Sequence, residues 1–210
     1  MTRYLSTTAL ITATVFGATA VMAQTTKPAQ PDQNPAHQMH YSQKPAMKMT
    51  NPMVGGAEMY PSKDIVTNAM NSADHTTLVA AVKATGLVET LQGPGPFTVF
   101  APTNEAFDAL PAGTVDTLLK PENKATLTKI LTCHVVAGKV SSADLSAWID
   151  KNGGSYQLAT VGGCTLTAKK SDGKIWLTDD SGATGAITIA DVNQSNGIIH
   201  VVDKVLLPAQ

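Results

Sequence analysis

Apolar positions recur at helical spacing through the first half of the folded region and alternate, strand-like, through the second. Ser62 reads as an N-cap before Ile65, Val66, Ala69 and Met70, which fall three and four apart. A second helical pattern covers Asp74 to Ala84, with Leu78, Val79 and Val82 on one face and Gly86 as its stop. Leu87 to Leu91 adds a further turn before two Gly-Pro pairs at 93 to 96 end the run. Phe97 to Ala101 is a short aromatic and β-branched run, expected as a buried strand. Pro102 stops it, and Thr103 or Asn104 caps a short helix that places Phe107 and Leu110 on one side. Val115, Leu118 and Leu119 belong to another short helix. Pro121 then suits the start of a longer one, buried through Leu127, Ile130 and Leu131.

From Cys133 the period changes. Cys133 to Val136 reads as a strand, and Ser141 opens a helix anchored by Trp148 and Ile149. Thr165 to Ala168 and Ile175 to Thr178 alternate polar with apolar around Ser171-Asp172-Gly173-Lys174, a hairpin turn. Ala186 to Val192, Ile198 to Val202 and Val205 to Leu207 supply the remaining strand segments. Helices first and antiparallel strands afterwards place the chain in the α+β class.

The chain before this region has another character. Residues 1 to 23 join a basic start at Arg3 to an apolar stretch and a short-residue end at Val21-Met22-Ala23, the build of a secretory signal peptide cut before Gln24. The apolar run is short for a membrane span, and none is expected after cleavage. Residues 24 to 60 are rich in Pro, Gln, Thr, Lys and Asn without any period, and read as a disordered linker ahead of a domain at 61 to 210. Within the linker His37, Met39, His40, Met47, Met49, Met53 and Met59 gather imidazole and thioether groups. These suit copper, so periplasmic copper handling stands as the alternative function.

Charge narrows the partners. Arg3 is the sole arginine, and the exported chain carries 14 Lys against 16 acidic residues. Without a basic stripe or a guanidinium, nucleic acid is not an expected partner. No nucleophile elbow, phosphate loop or dinucleotide fingerprint is present, and no cofactor is expected. His134 and His200 sit inside apolar strands, where a hydrogen-bonded structural histidine is the commoner role. Asp179-Asp180 reads as a solvated turn, because it lacks the ligand count of a calcium loop.

Two longer motifs say more. Gly95-Pro96-Phe97-Thr98-Val99-Phe100-Ala101-Pro102-Thr103-Asn104-Glu105-Ala106-Phe107 resembles the first signature box of the fasciclin-like adhesion domain. Asn196 to Pro208 resembles the second, at the expected distance along the chain. The resemblance covers residues 61 to 208. It implies a wedge-shaped antiparallel β-sandwich with helices along one side, and a non-enzymatic adhesion or surface-interaction module, periplasmic or secreted. Its partner would be a cell-surface protein, a polysaccharide or a second copy of itself. In animal members that bind integrins, an Asp-Ile pair before the second box is a contact; Asp191-Val192 falls there. A Tyr-His pair after the middle helix is another, and Cys133-His134 falls there with the histidine matched and the tyrosine replaced.

Cys133 and Cys164 are the two cysteines of the chain. Export to an oxidising compartment favours a disulfide between them, and the resemblance places both segments in one domain. A pair of buried free thiols is the alternative.

Overall fold

A computed structural model describes residues 51–209. It opens on a small hairpin, β1 (Met53–Val54) and β2 (Ala57–Glu58). The helical half follows: α1 (Ile65–Asn71), α2 (Thr76–Thr85) and α3 (Val88–Gln92). After β3 (Phe97–Pro102) come α4 (Asn104–Asp108), α5 (Thr114–Leu118) and α6 (Lys124–Cys133). β4 (Val135–Ala137) and α7 (Ser142–Lys151) lead to β5 (Ser155–Ala159), β6 (Thr165–Ser171), β7 (Lys174–Thr178), β8 (Thr184–Gln194) and β9 (Gly197–Val202).

The seven strands β3 to β9 form one mixed sheet in the order β4-β3-β9-β8-β7-β6-β5, with α1 to α6 packed on one side of its central strands. The α+β reading holds. All neighbours are antiparallel except β3 and β9, which run parallel from Phe97 against Gly197 to Pro102 against Val202. This central pair is buried on both faces, as parallel neighbours usually are. Val99, Ala101, Ile199 and Val201 face a core shared with α1 to α6. Phe100 and Val202 face a second core, shared with α7 and β5 to β8. Burying one such aromatic or aliphatic side chain stabilises the fold by roughly 1.5–3 kcal/mol. At Gly197 a Cβ would run into the carbonyl of Phe97, so only glycine lets the two strands start this close.

β8 joins the halves. Its first residues pair with β7 and its later ones with β9, and two register shifts bend it between Ile187 and Val192. The sheet curls until its edges β4 and β5 are brought together beyond the strands. There Val161 N–H donates to Val135 O at 2.7 Å and Gly162 N–H to Thr132 O at 3.0 Å.

Several local expectations need correction. The cap of α1 is Asp64, whose carboxylate accepts from Thr67 N–H, and not Ser62. Cys133 closes α6 instead of opening a strand, since strand pairing starts only at Val135. Val205 to Leu207 form no ladder, although Val205 and Leu206 are buried. The folded unit also reaches further back than residue 61. The hairpin turns at Gly55 and Gly56, both at positive φ, and Ala73 N–H donates to Gly55 O at 3.1 Å. Val54 and Met59 are buried in the first core, so the last ten residues of the expected linker are part of the fold. Among the described residues no helix is long and apolar enough to cross a membrane.

Candidate functional site

The two motifs singled out in the sequence meet along the β3–β9 seam, and their asparagines tie the helices to it. Asn196 Oδ1 accepts from Ile65 N–H (3.1 Å), while its amide donates to Leu91 O (2.7 Å) and Gly93 O (3.1 Å). Its backbone carbonyl accepts from Phe97 N–H at 3.1 Å. One side chain thus holds the start of α1 and the end of α3 against the sheet. In the first motif Thr103 caps α4 as expected, accepting from Ala106 N–H. Asn104 does something the sequence did not suggest: it reaches a neighbouring helix, accepting from Thr77 N–H at 3.0 Å and donating to Ala73 O at 2.8 Å. It thereby satisfies free groups at the start of α2. Asp203 accepts from Ala186 N–H at 2.8 Å and closes the turn after β9.

Asp191 sits on the β8 bulge with φ at 60°, a left-handed conformation that Asp tolerates better than most residues. Its Oδ1 accepts from Ser142 N–H at 2.8 Å and its Oδ2 from the Ser142 hydroxyl, at the first turn of α7. The same helix start carries a capping box between Ser141 and Asp144. Behind the bulge, His200 Nδ1 accepts from Asp191 N–H (3.3 Å), so the ring proton sits on Nε2 and is donated to Val140 O (2.8 Å). Burial lowers the His200 pKa, against smaller opposing pulls from the Val140 carbonyl and Asp191. The ring stacks on Phe100, with centroids 5.6 Å apart.

His134 has the opposite tautomer. Its Nε2 accepts from Leu206 N–H at 2.9 Å, and Nδ1 donates to Ile130 O at 2.9 Å. Burial pushes its pKa down to about 4, and the Ile130 carbonyl and Asp179 offset only part of this. Asp179 is buried too, which overturns the solvated-turn reading. Its Oδ1 accepts from Ser181 N–H, the Ser181 hydroxyl and Ala183 N–H, and its Oδ2 from Leu207 N–H at 2.7 Å. The Val205 to Leu207 segment is therefore held by the side chains of His134 and Asp179 in place of a strand ladder.

Of the residues that the resemblance offered as a contact surface, Val192 is 0% and His134 2% exposed, and the half-buried Asp191 is engaged with Ser142. Of the three, only Asp191 is partly exposed. Cys133 and Cys164 are bonded, with Cα atoms 5.3 Å apart, and tie the end of α6 to the start of β6 at the closure of the sheet edges. His75 is buried, its Nδ1 2.8 Å from the Ser72 hydroxyl; among the described residues its Nε2 has no hydrogen-bond partner. His37, Met39, His40, Met47 and Met49 lie outside the described residues. Of the two later methionines in that tract, Met59 is core and Met53 is exposed. No group of three or more His, Cys, Asp or Glu side chains converges on a common point among the described residues.

Comparison with known proteins agrees with this geometry. The Fasciclin domain family model matches residues 73–208. Protein sll1483 of Synechocystis sp. is 51% identical over 144 residues, covering 69% of this chain and 73% of that protein. The cell surface glycolipoprotein MPB83 of Mycobacterium bovis is 36% identical over 165 residues, covering 75% of this chain and 67% of that protein. Immunogenic protein MPB70 of the same species is 35% identical over 149 residues, covering 69% and 68%. Among solved structures, the FAS1 domain pair from the insect cell adhesion molecule fasciclin I superposes with a TM-score of 0.63 at 18% identity. The match covers 69% of this chain and about half (51%) of that one. On motif, fold and relatives together, the chain belongs to the Fasciclin domain family.

Proposed function

We propose that the protein is an exported surface-interaction module without enzymatic activity, its single fasciclin domain meeting a cell-surface protein, a polysaccharide or a second copy of itself. The observation that supports this best is the match over the whole domain to a relative described as a cell surface glycolipoprotein. The use made of the ionisable groups agrees: His134, His200 and Asp179 face backbone N–H and C=O groups inside the fold, where they serve architecture. Recognition then falls to the outer surface.

The test is saturable binding of the labelled, purified protein to envelope fragments of the cells that produce it. Binding that saturates and is competed by unlabelled protein is expected. A linear, uncompeted signal overturns the reading.

A further inference from the structure

The sheet face turned away from the second core has its own chemistry. Along β6 and β7, Leu166, Ala168, Ile175 and Leu177 point into that core, with Leu145 and Ile149 of α7 packed among them. Strand alternation puts Thr165, Thr167, Lys169, Trp176 and Thr178 on the opposite face, where each is exposed or half-exposed. The register aligns them in rows across the strands. Gln157, Thr167, Thr178 and Thr184 form one row over β5 to β8; Ser155, Lys169 and Trp176 form the next. Neighbours within a row are about 4.8 Å apart. A shallow open cleft of about 360 Å³ lies at the β5 edge, where both rows end, lined by Asn152, Ser155, Tyr156, Gln157 and Thr167.

These groups are available. Among the described residues, no intramolecular hydrogen bond engages the side chains of Gln157, Thr165 or Thr167, and the Thr178 and Thr184 hydroxyls bond only each other, at 3.1 Å. The Trp176 ring is held in place by its Nε1–H, which donates to Ser171 O at 3.3 Å. Two ammonium groups flank it: Lys169 directly across the strand, and Lys174 two residues earlier on the same face. The ion pair on the neighbouring strand uses Lys170, on the other side of the sheet, with Asp150. No outward position of β5, β6 or β7 carries a carboxylate; Asp172 and Asp180 lie in the turns at the strand ends, where Asp180 Oδ2 accepts from Thr165 N–H and Asp172 Oδ2 from the Ser171 hydroxyl, each at 3.0 Å.

Hydroxyl and amide side chains both donate and accept, which suits a polyol. An indole face offers apolar area to the C–H face of a sugar ring while its polar edge stays wet. Paired ammonium groups with no opposing carboxylate select a negative charge on the ligand. We propose that this face binds an acidic polysaccharide, a chain of pyranose units bearing carboxylates, with a ring on Trp176, its carboxylate between Lys169 and Lys174, and its hydroxyls along the Thr and Gln row. The proposal rests on the surface-interaction reading and names its partner class.

The test is affinity electrophoresis of the purified protein through gels containing polygalacturonate, with methyl-esterified polygalacturonate and polyglutamate as comparisons. Retardation by polygalacturonate is expected at least tenfold stronger than by either comparison. Trp176→Ala should lose tenfold or more, with Trp176→Phe restoring most of it. Lys169→Ala with Lys174→Ala should erase the preference for the free acid over the ester. Thr167→Glu adds a negative charge to a side chain that points outward; it should abolish retardation with an unchanged melting temperature, which separates binding from folding. Equal retardation by polyglutamate reduces the effect to ion exchange, equal retardation by the ester removes the acidic assignment, and an unaffected Thr167→Glu protein places binding elsewhere; each overturns the proposal. Absence of retardation overturns it as well. If envelope binding persists in that case, the glycan face alone has failed and the surface-interaction reading stands.

Discussion

The Asp191 carboxylate accepts from both the backbone N–H and the hydroxyl of Ser142, forty-nine residues away in the chain. This joins the β8 bulge to the first turn of α7, where a negative charge also complements the helix dipole. Asp191→Ala is therefore expected to destabilise the domain by about 1.5–3 kcal/mol, the usual range for hydrogen bonds to a charged group. Ser142→Ala removes one of the two bonds and should cost less. Urea unfolding of both variants checks this. A destabilisation below about 0.5 kcal/mol for Asp191→Ala would show that the carboxylate is structurally idle.

His134 makes stability depend on pH. Its folded-state pKa is lowered from 6.5 to about 4 by burial. Above pH 6.5 the ring is neutral in both states and its contribution is fully present. As the pH falls from 6.5 to 4, the unfolded chain takes up a proton that the folded one refuses, so stability is lost across that window. The full loss from His134 is about 3 kcal/mol. Burial lowers His75 and His200 as well, which adds to the slope in the same direction. Imidazole NMR titration of the folded protein is the direct check; a His134 titrating near 6.5 would contradict its burial as a neutral ring.

Cys133 and Cys164 are 31 residues apart, and their bridge sits where the two sheet edges come together. Closing a loop of that length restricts the unfolded chain by roughly 3–4 kcal/mol on chain-entropy grounds. Replacing both with Ser should lower stability by about that amount and leave the far-ultraviolet spectrum of the folded form unchanged. Mass spectrometry of the non-reduced, alkylated protein should find no free thiol.

A chain starting at Asn51 and one starting at Pro61 should differ in stability, because only the first keeps Val54 and Met59 in the core. Met59→Ala in the full chain is expected to cost about 2–5 kcal/mol, as for other fully buried methionines. Equal unfolding midpoints for the two truncated chains would mean that the hairpin is an appendage.

Much of this molecule follows from local chemistry. Helix caps at Thr103 and Ser141, the stop at Gly86 and the Asp172-Gly173 turn, with φ of 52° and 73°, depend on interactions within a few residues, so pattern alone places them. The strand at Phe97 to Ala101 is legible for a related reason: a segment buried on both faces must be nearly all apolar, and its one hydroxyl, on Thr98, is bonded to Gly138 O and Val140 N–H. The two motifs and their spacing were enough to indicate the family.

Long-range partners follow no such rule. Nothing near Asn104 in the chain points to Thr77, and nothing near His134 points to Leu206, because hydrogen bonds across 27 and 72 residues exist only once the core has brought the segments together. For the same reason a backbone segment such as Val205 to Leu207 can look like a strand and be satisfied by side chains instead. Met59 looked like part of a loose tract until Val54 and the first core enclosed it. Whether Asp191 and Val192 face a partner or the interior turns on the two register shifts in β8: where side chains alternate with period two, each extra residue reverses the direction of those that follow, and nothing local marks where the shifts fall.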